Sequence, residues 1–178
     1  MKLFQGVLGI INIERKKEQD IYQADVNELL VIYSDMVYKI ALVQMKNPAD
    51  ADDVFQEVFL RLIEYKDRLQ SQEHAKAWLI RVTINCSKKH YGTAWYRKTG
   101  PLTEEIRAEW DFNLENMDLL KAVGALPSDQ RIVVHLYYYE GYSINEIAGI
   151  MDKKENTIKS HLHRARKALR IDLKGDNQ

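Results

Sequence analysis

Four side chains between residues 78 and 88 are spaced for one kind of chemistry. Trp78, Arg81, Asn85 and Lys88 stand at i, i+3, i+7 and i+10, which on a helix aligns them along one stripe. An indole, two cations and an amide on one face suit single-stranded DNA. Cations neutralise phosphate, an aromatic ring stacks on a base or props the duplex open, and an amide bonds a base edge. Tyr91, Trp95 and Tyr96 continue the mixture of aromatic and basic residues. The plainer alternative keeps Trp78 in the core and the cations in solvent, because large aromatics at helical spacing are usually buried.

A second cationic group lies near the C-terminus. Ile158, Leu162, Ala165 and Leu169 set the inward face of a helix predicted to open at Asn156 or Thr157, leaving Lys159, Ser160, His161, His163, Arg164 and Lys167 outward. Leu126-Pro127-Ser128 opens an earlier helix over Asp129 to Glu140, with Gly141 as a left-handed stop. Ser143-x-x-Glu146 reads as a capping box for a short helix, and a turn around Asp152 follows. Short helix, turn and longer basic helix is the helix-turn-helix order, whose second helix lays its N-terminal part against base edges.

The third group is acidic. Asn47 can cap a helix with Pro48 at its first position, and Asp50, Asp52 and Asp53 sit where the helix dipole favours negative charge. Val54, Phe55, Val58, Phe59, Leu62 and Ile63 form its apolar face, and Asp50, Asp53 and Glu57 fall on roughly the opposite side with no basic partner on that face. Catalysis finds no comparable support. Cys86 with His90, and His161 with His163, are pairs without a third ligand nearby in sequence, and no glycine-rich phosphate loop or nucleophile–base motif is present. Neither a metal nor a cofactor is expected.

The elements that must position these groups are helical throughout. Apolar residues make up 46% and charged residues 29% of the 178, with only 8 Gly and 3 Pro, a composition that favours a soluble helical protein over a loop-rich or disordered one. Leu29, Leu30, Tyr33, Val37, Ile40 and Ala41 predict a helix over residues 25–46. Ala75, Leu79, Val82 and Cys86 predict another over 73–91, after a polar loop at 66–72. Cys86 is the only cysteine, so the fold needs no oxidising compartment. The apolar run Leu3–Ile13 is too short to span a bilayer and lacks the cleavage site of a signal peptide. It reads as an extra helix or strand, and no membrane insertion is expected.

The formal net charge of zero conceals blocks. Residues 74–98 and 153–174 each carry +6, whereas 99–118 carry −5 and 47–73 carry −4. Two separated basic faces, each beside an acidic segment, suit a protein that meets nucleic acid at two places, although ordinary solvated helix faces would give the same counts.

These blocks, in this order, resemble the extracytoplasmic-function class of bacterial RNA polymerase sigma factors over residues 25–174. The run from Asn47 to Leu62 is similar to their polymerase-binding segment, and Ala77-Trp78-Leu79-Ile80-Arg81-Val82-Thr83-Ile84-Asn85 to their promoter-melting segment. Leu126-Pro127, the run Tyr142 to Ala148 and the run Thr157 to Arg166 resemble their C-terminal helix-turn-helix. The resemblance implies an all-α protein of two small helical domains, residues 20–98 and 119–174, joined by an acidic linker at 99–118 that threads the polymerase. It implies that Asp50, Asp53, Gln56 and Glu57 meet the β′ clamp helices of core RNA polymerase, with the C-terminal domain at the β flap. Lys66 and Ser71 in the loop, with Trp78, Arg81, Asn85, Lys88 and Lys89, would bind and open the -10 element. Lys159, Ser160, His161, His163, Arg164 and Lys167 would read the -35 element. An anti-sigma factor is a further partner of such proteins.

Three departures stand out. Asp152-Lys153-Lys154 replaces the usual Gly, apolar residue and Ser of the turn, which leaves the start of the recognition helix open by a few residues. His161 stands where Arg is frequent, so its contact should be weaker or pH-sensitive. The first 20 or so residues are additional. The rival reading, a plain helix-turn-helix regulator, would explain residues 119–174 and leave the acidic helix and the Trp78 face without purpose.

Overall fold

Local chemistry sets most of the helix ends. Asn47 caps the helix Pro48–Tyr65 by accepting a hydrogen bond from the Ala49 amide at 2.9 Å, with Pro48 as the first helical residue. Lys46 turns the chain between the first two helices with φ at 60°, a left-handed conformation unusual for a side chain of this kind. Ser143 and Glu146 close the reciprocal capping box, and Gly141 takes φ of 75° ahead of it.

The computed structural model describes residues 26–91 and 122–169. Their elements run α1 (Val26–Met45), α2 (Pro48–Tyr65), a 3-10 turn (Lys66–Arg68), α3 (Gln72–Tyr91), α4 (Ser128–Val134), a π-helical turn (His135–Tyr139), α5 (Ile144–Met151) and α6 (Glu155–Leu169). The architecture is all-helical, as expected, and no strand occurs among the described residues. Leu3–Ile13, Trp95, Tyr96 and the 99–118 segment lie outside the described residues.

Three boundaries differ from the sequence reading. The loop at 66–72 contains a 3-10 turn, and Ser71 ends it by accepting the His74 amide at 3.0 Å. The helix expected over 129–140 is α-helical only to Val134. It then widens, with the Glu140 amide reaching back five residues to the His135 carbonyl at 3.1 Å. The recognition helix opens at Glu155, ahead of Asn156. Asp152 does adopt the left-handed turn, with φ of 51°, and the Lys154 carbonyl receives the Thr157 and Ile158 amides.

Helices α1 to α3 pack on one another, as do α4 to α6, and the two halves share a single apolar core. Helix α1 meets α4, and α3 meets α5. Gln44, buried near the end of α1, accepts from the Ser128 hydroxyl and donates to its carbonyl. Arg131 is the other bridge. Its buried guanidinium donates to the Gly124, Leu126 and Gln44 carbonyls at 3.0, 2.8 and 3.2 Å, tying the chain entering α4 to the last turns of α1. The flank carries two cation–ring pairs across the same boundary, Lys39 over Tyr139 at 5.4 Å and Lys76 over Tyr142 at 5.1 Å.

Candidate functional site

The α3 stripe is built as the periodicity requires. Ala75, Leu79, Val82 and Cys86 are buried, which leaves Arg81, Asn85 and Lys88 on the exposed side and Trp78 half-buried at its edge. Trp78 stacks on Tyr65 of α2, with ring centroids 4.7 Å apart and planes within 10°. One ring face therefore packs on the core, and the rest of the side chain remains partly open. Trp78→Ala should cost about 2–3 kcal/mol, somewhat less than truncating a fully buried aromatic, read from the midpoint of urea unfolding. Trp78→Phe should recover most of that loss.

The cations of the stripe are not free. Arg81 donates from Nε to the Ile150 carbonyl at 3.0 Å and from Nη2 to the Gly149 carbonyl at 2.7 Å, so it caps the negative end of α5. Lys88 pairs with Asp129 at 3.2 Å. Lys89 points elsewhere, toward Glu57 at 3.4 Å, and so leaves the stripe it was grouped with. Lys66 is exposed in the 3-10 turn, and Ser71 is occupied as the cap of α3.

The acidic face needs a correction. Glu57 does have basic partners: Arg61 one turn along at 2.6 Å, Lys89 at 3.4 Å and the His90 ring at 3.3 Å. Burial alone would raise its carboxyl, but Arg61 and Lys89 outweigh that and hold it below the usual carboxylate range. Asp53 and Gln56 remain exposed, whereas Asp50 is half-buried with one carboxylate oxygen buried and unbonded. Ile63, assigned to the core face, is 53% exposed, and Leu60 is 64% exposed. Gln56, Leu60 and Ile63 follow helical spacing, so α2 presents an apolar strip beside Asp53. Sequence periodicity could have found Leu60, which is out of phase with the buried Val58, Phe59 and Leu62.

On α6, Ile158, Leu162 and Ala165 are buried and Leu169 half-buried. Lys159, His163, Arg164 and Lys167 are exposed, with Lys159 3.6 Å from Glu155. Ser160 and His161 are half-buried. Burial holds His161 below the usual histidine range, against the pull of Asp129, and its Nδ1 is buried without a hydrogen-bond partner. Arg166 turns away from the outward set and bonds the Tyr138 hydroxyl at 2.8 Å. Among the described residues no cluster of three or more His, Cys, Asp or Glu could hold a metal, and no helix is long and apolar enough to cross a membrane.

A helical bundle with a cationic, aromatic helix face is followed by a helix-turn-helix with a basic second helix, the arrangement of a DNA-binding protein. Residues 29–96 match Sigma-70 region 2, and residues 116–169 match Sigma-70, region 4. The RNA polymerase sigma-E factor of Escherichia coli K12, of the ECF class, is 30% identical over 176 residues, spanning 88% of this chain and 90% of that protein. SigX of Bacillus subtilis strain 168, also of the ECF class, is 23% identical over 156 residues, 78% of each. Among solved structures, the sigma factor RpoE crystallised with the anti-sigma factor NepR from Bartonella quintana has a TM-score of 0.64 at 22% identity, covering 81% of this chain and 93% of that one. CnrH, solved with the cytosolic domain of CnrY, gives 0.62 at 20% identity, covering 87% and 91%.

The chain belongs to the extracytoplasmic-function family of RNA polymerase sigma factors and contains sigma-70 regions 2 and 4. It directs RNA polymerase to promoters for transcription initiation, as a non-enzymatic subunit. The match of region 2 also answers the rival reading, since a plain helix-turn-helix regulator accounts for region 4 alone.

Proposed function

We propose a division of labour among the three surfaces, with functional units at residues 20–98 and 119–174 and an acidic connector at 99–118. The α2 surface of Asp53, Gln56, Leu60 and Ile63, with Asp50 and Glu57 at its margin, docks on the β′ clamp helices of core RNA polymerase. Exposed apolar residues beside unpaired acids carry this assignment, because an apolar strip rimmed by charge suits a protein partner. The α3 stripe of Trp78, Arg81, Asn85 and Lys88, flanked by Lys66, Ser71 and Lys89, opens the -10 element. Helix α6 reads the -35 element while region 4 contacts the β flap.

The polymerase partner puts the working compartment in the cytoplasm. An anti-sigma partner belongs to the same reading, since the sigma factor RpoE was solved in complex with the anti-sigma factor NepR.

The recognition helix offers the sharpest test. Arg164 is exposed in the N-terminal two-thirds of α6, and a guanidinium can bond guanine bidentately, a contact worth about 1–3 kcal/mol of discrimination. Lys167, one turn later, is placed for phosphate. Arg164→Ala should relax preference at one or two -35 positions. Lys167→Ala should weaken every sequence alike and reduce the salt slope by about one. Holoenzyme binding to a panel of -35 variants at several salt concentrations separates the two. A uniform loss from Arg164→Ala would move base reading to Ser160 and the histidines.

A further inference from the structure

Helix α6 opens at Glu155, which makes Asn156 its second residue and not its cap. A capping asparagine turns its side chain back onto the amides of its own first turn. Here that turn is closed without it, by the Lys154 carbonyl, which receives the Thr157 and Ile158 amides at 2.8 and 3.3 Å. Asn156 is exposed, and among the described residues no hydrogen bond or ion pair holds its side chain. Asparagine is also a poor helix former away from a cap. Local structure therefore makes no use of this carboxamide.

Helical phase does. Asn156, Ser160, His163 and Lys167 stand at i, i+4, i+7 and i+11. At about 100° per residue they fall within roughly 60° of one another, on the side of α6 opposite the buried Ile158, Leu162 and Ala165. Lys159 and Arg164 flank this stripe on either side. Glu155 lies well off it and is 3.6 Å from Lys159. Because helical Cα–Cβ bonds tilt toward the N-terminal end, Asn156 leads the stripe into the groove that α6 enters, where the first turns meet base edges.

We propose that Asn156 reads an adenine of the -35 element, its carboxamide accepting from N6–H and donating to N7 in the major groove, the bidentate pairing that adenine offers an amide. This rests on the assignment of α6 to the -35 element, and adds a reading residue and the base it selects. Arg164 follows eight residues later, about 12 Å along the helix, so the two side chains read different base pairs.

The test uses holoenzyme reconstituted with the full chain and a -35 sequence that the parent holoenzyme selects from a randomised library. Binding to every single-base variant of that sequence is measured for the parent and for Asn156→Ala. Alanine is the better helix former, so the variant should keep the parent's helicity and Tm, and lost binding then reports a lost contact. Asn156→Ala should weaken binding roughly tenfold at one A·T pair, leave the other three choices there within about twofold, and so erase preference at that position alone. Replacing that adenine with 7-deazaadenine, which lacks the N7 acceptor, should weaken the parent about three- to tenfold and leave Asn156→Ala unaffected.

An equal loss on all sequences overturns the proposal by making Asn156 a backbone contact. Unchanged preference overturns it too, as does a 7-deazaadenine penalty that persists in Asn156→Ala. Arg164→Ala and Lys167→Ala, measured on the same panel, separate the two levels. If both behave as expected while Asn156→Ala does not, the adenine contact alone fails. If neither changes binding, α6 is not the reading helix and the contact fails with it.

Discussion

Asp53→Lys combined with Gln56→Lys should abolish retention of core RNA polymerase while leaving helicity and the unfolding midpoint near those of the parent. Both positions are exposed on α2, and among the described residues no ion pair or hydrogen bond holds either side chain. Reversing one charge and adding another turns attraction for a basic partner into repulsion, which at an interface costs several kcal/mol, or a hundredfold or more in affinity. Co-purification with core polymerase and circular dichroism on the same preparations check it. Retained polymerase would move the docking surface off α2. Glu57→Lys is the poorer probe, since it would set a lysine among Arg61, Lys89 and His90. The folded carboxyl of Glu57 sits below its unfolded value, so its pairing adds stability above the usual carboxylate range and loses it as pH falls through the depressed value.

Arg131→Ala should lower stability by about 3 kcal/mol, with a fall in Tm of roughly 6–12 °C for a chain of this size. The residue is only 3% exposed, and its guanidinium serves three carbonyls from two sequence regions. Removing it leaves those acceptors buried and empties the space. Arg131→Lys should recover little, because one ammonium on a flexible stem cannot reproduce the planar fork. Differential scanning calorimetry of the full chain is the measurement. A loss under 1 kcal/mol in the alanine variant would mean that water replaces the guanidinium and that the bridge to Gln44 is incidental.

Features fixed within a few residues were legible in the sequence. Asn47-Pro48, Gly141 and the Ser143–Glu146 box behave as their local chemistry dictates, and the α3 core stripe follows from period alone. Features set by residues distant in sequence were not. Glu57 looked unpartnered because two of its three partners come from α3, 32 and 33 positions away. The Arg81 and Lys88 attachments depend on how region 4 lies against region 2, which no periodicity encodes. Ile63 was misplaced for a related reason: a six-residue apolar face is wider than the groove that α1 and α3 leave for α2, so its margin stays in solvent.

The widened turn at His135–Tyr139 has a consequence for helical phase. A turn closed over five residues takes up one residue more than an α-helical turn, and each residue of α-helix advances the face by about 100°. The run Tyr137-Tyr138-Tyr139 therefore shifts the helical phase in the last turn of the rod that α4 begins. With the extra residue in place, Tyr137 and Tyr138 both lie 5.7 Å from the Arg166 guanidinium, while Tyr139 lies beneath Lys39 of the other half. Consecutive tyrosines thus address two different neighbours. A chain one tyrosine shorter would regain regular α-helical closure and rotate whatever follows, so the length of this run, more than the identity of any ring in it, sets the bearing from which Gly141 and the capping box launch the helix-turn-helix.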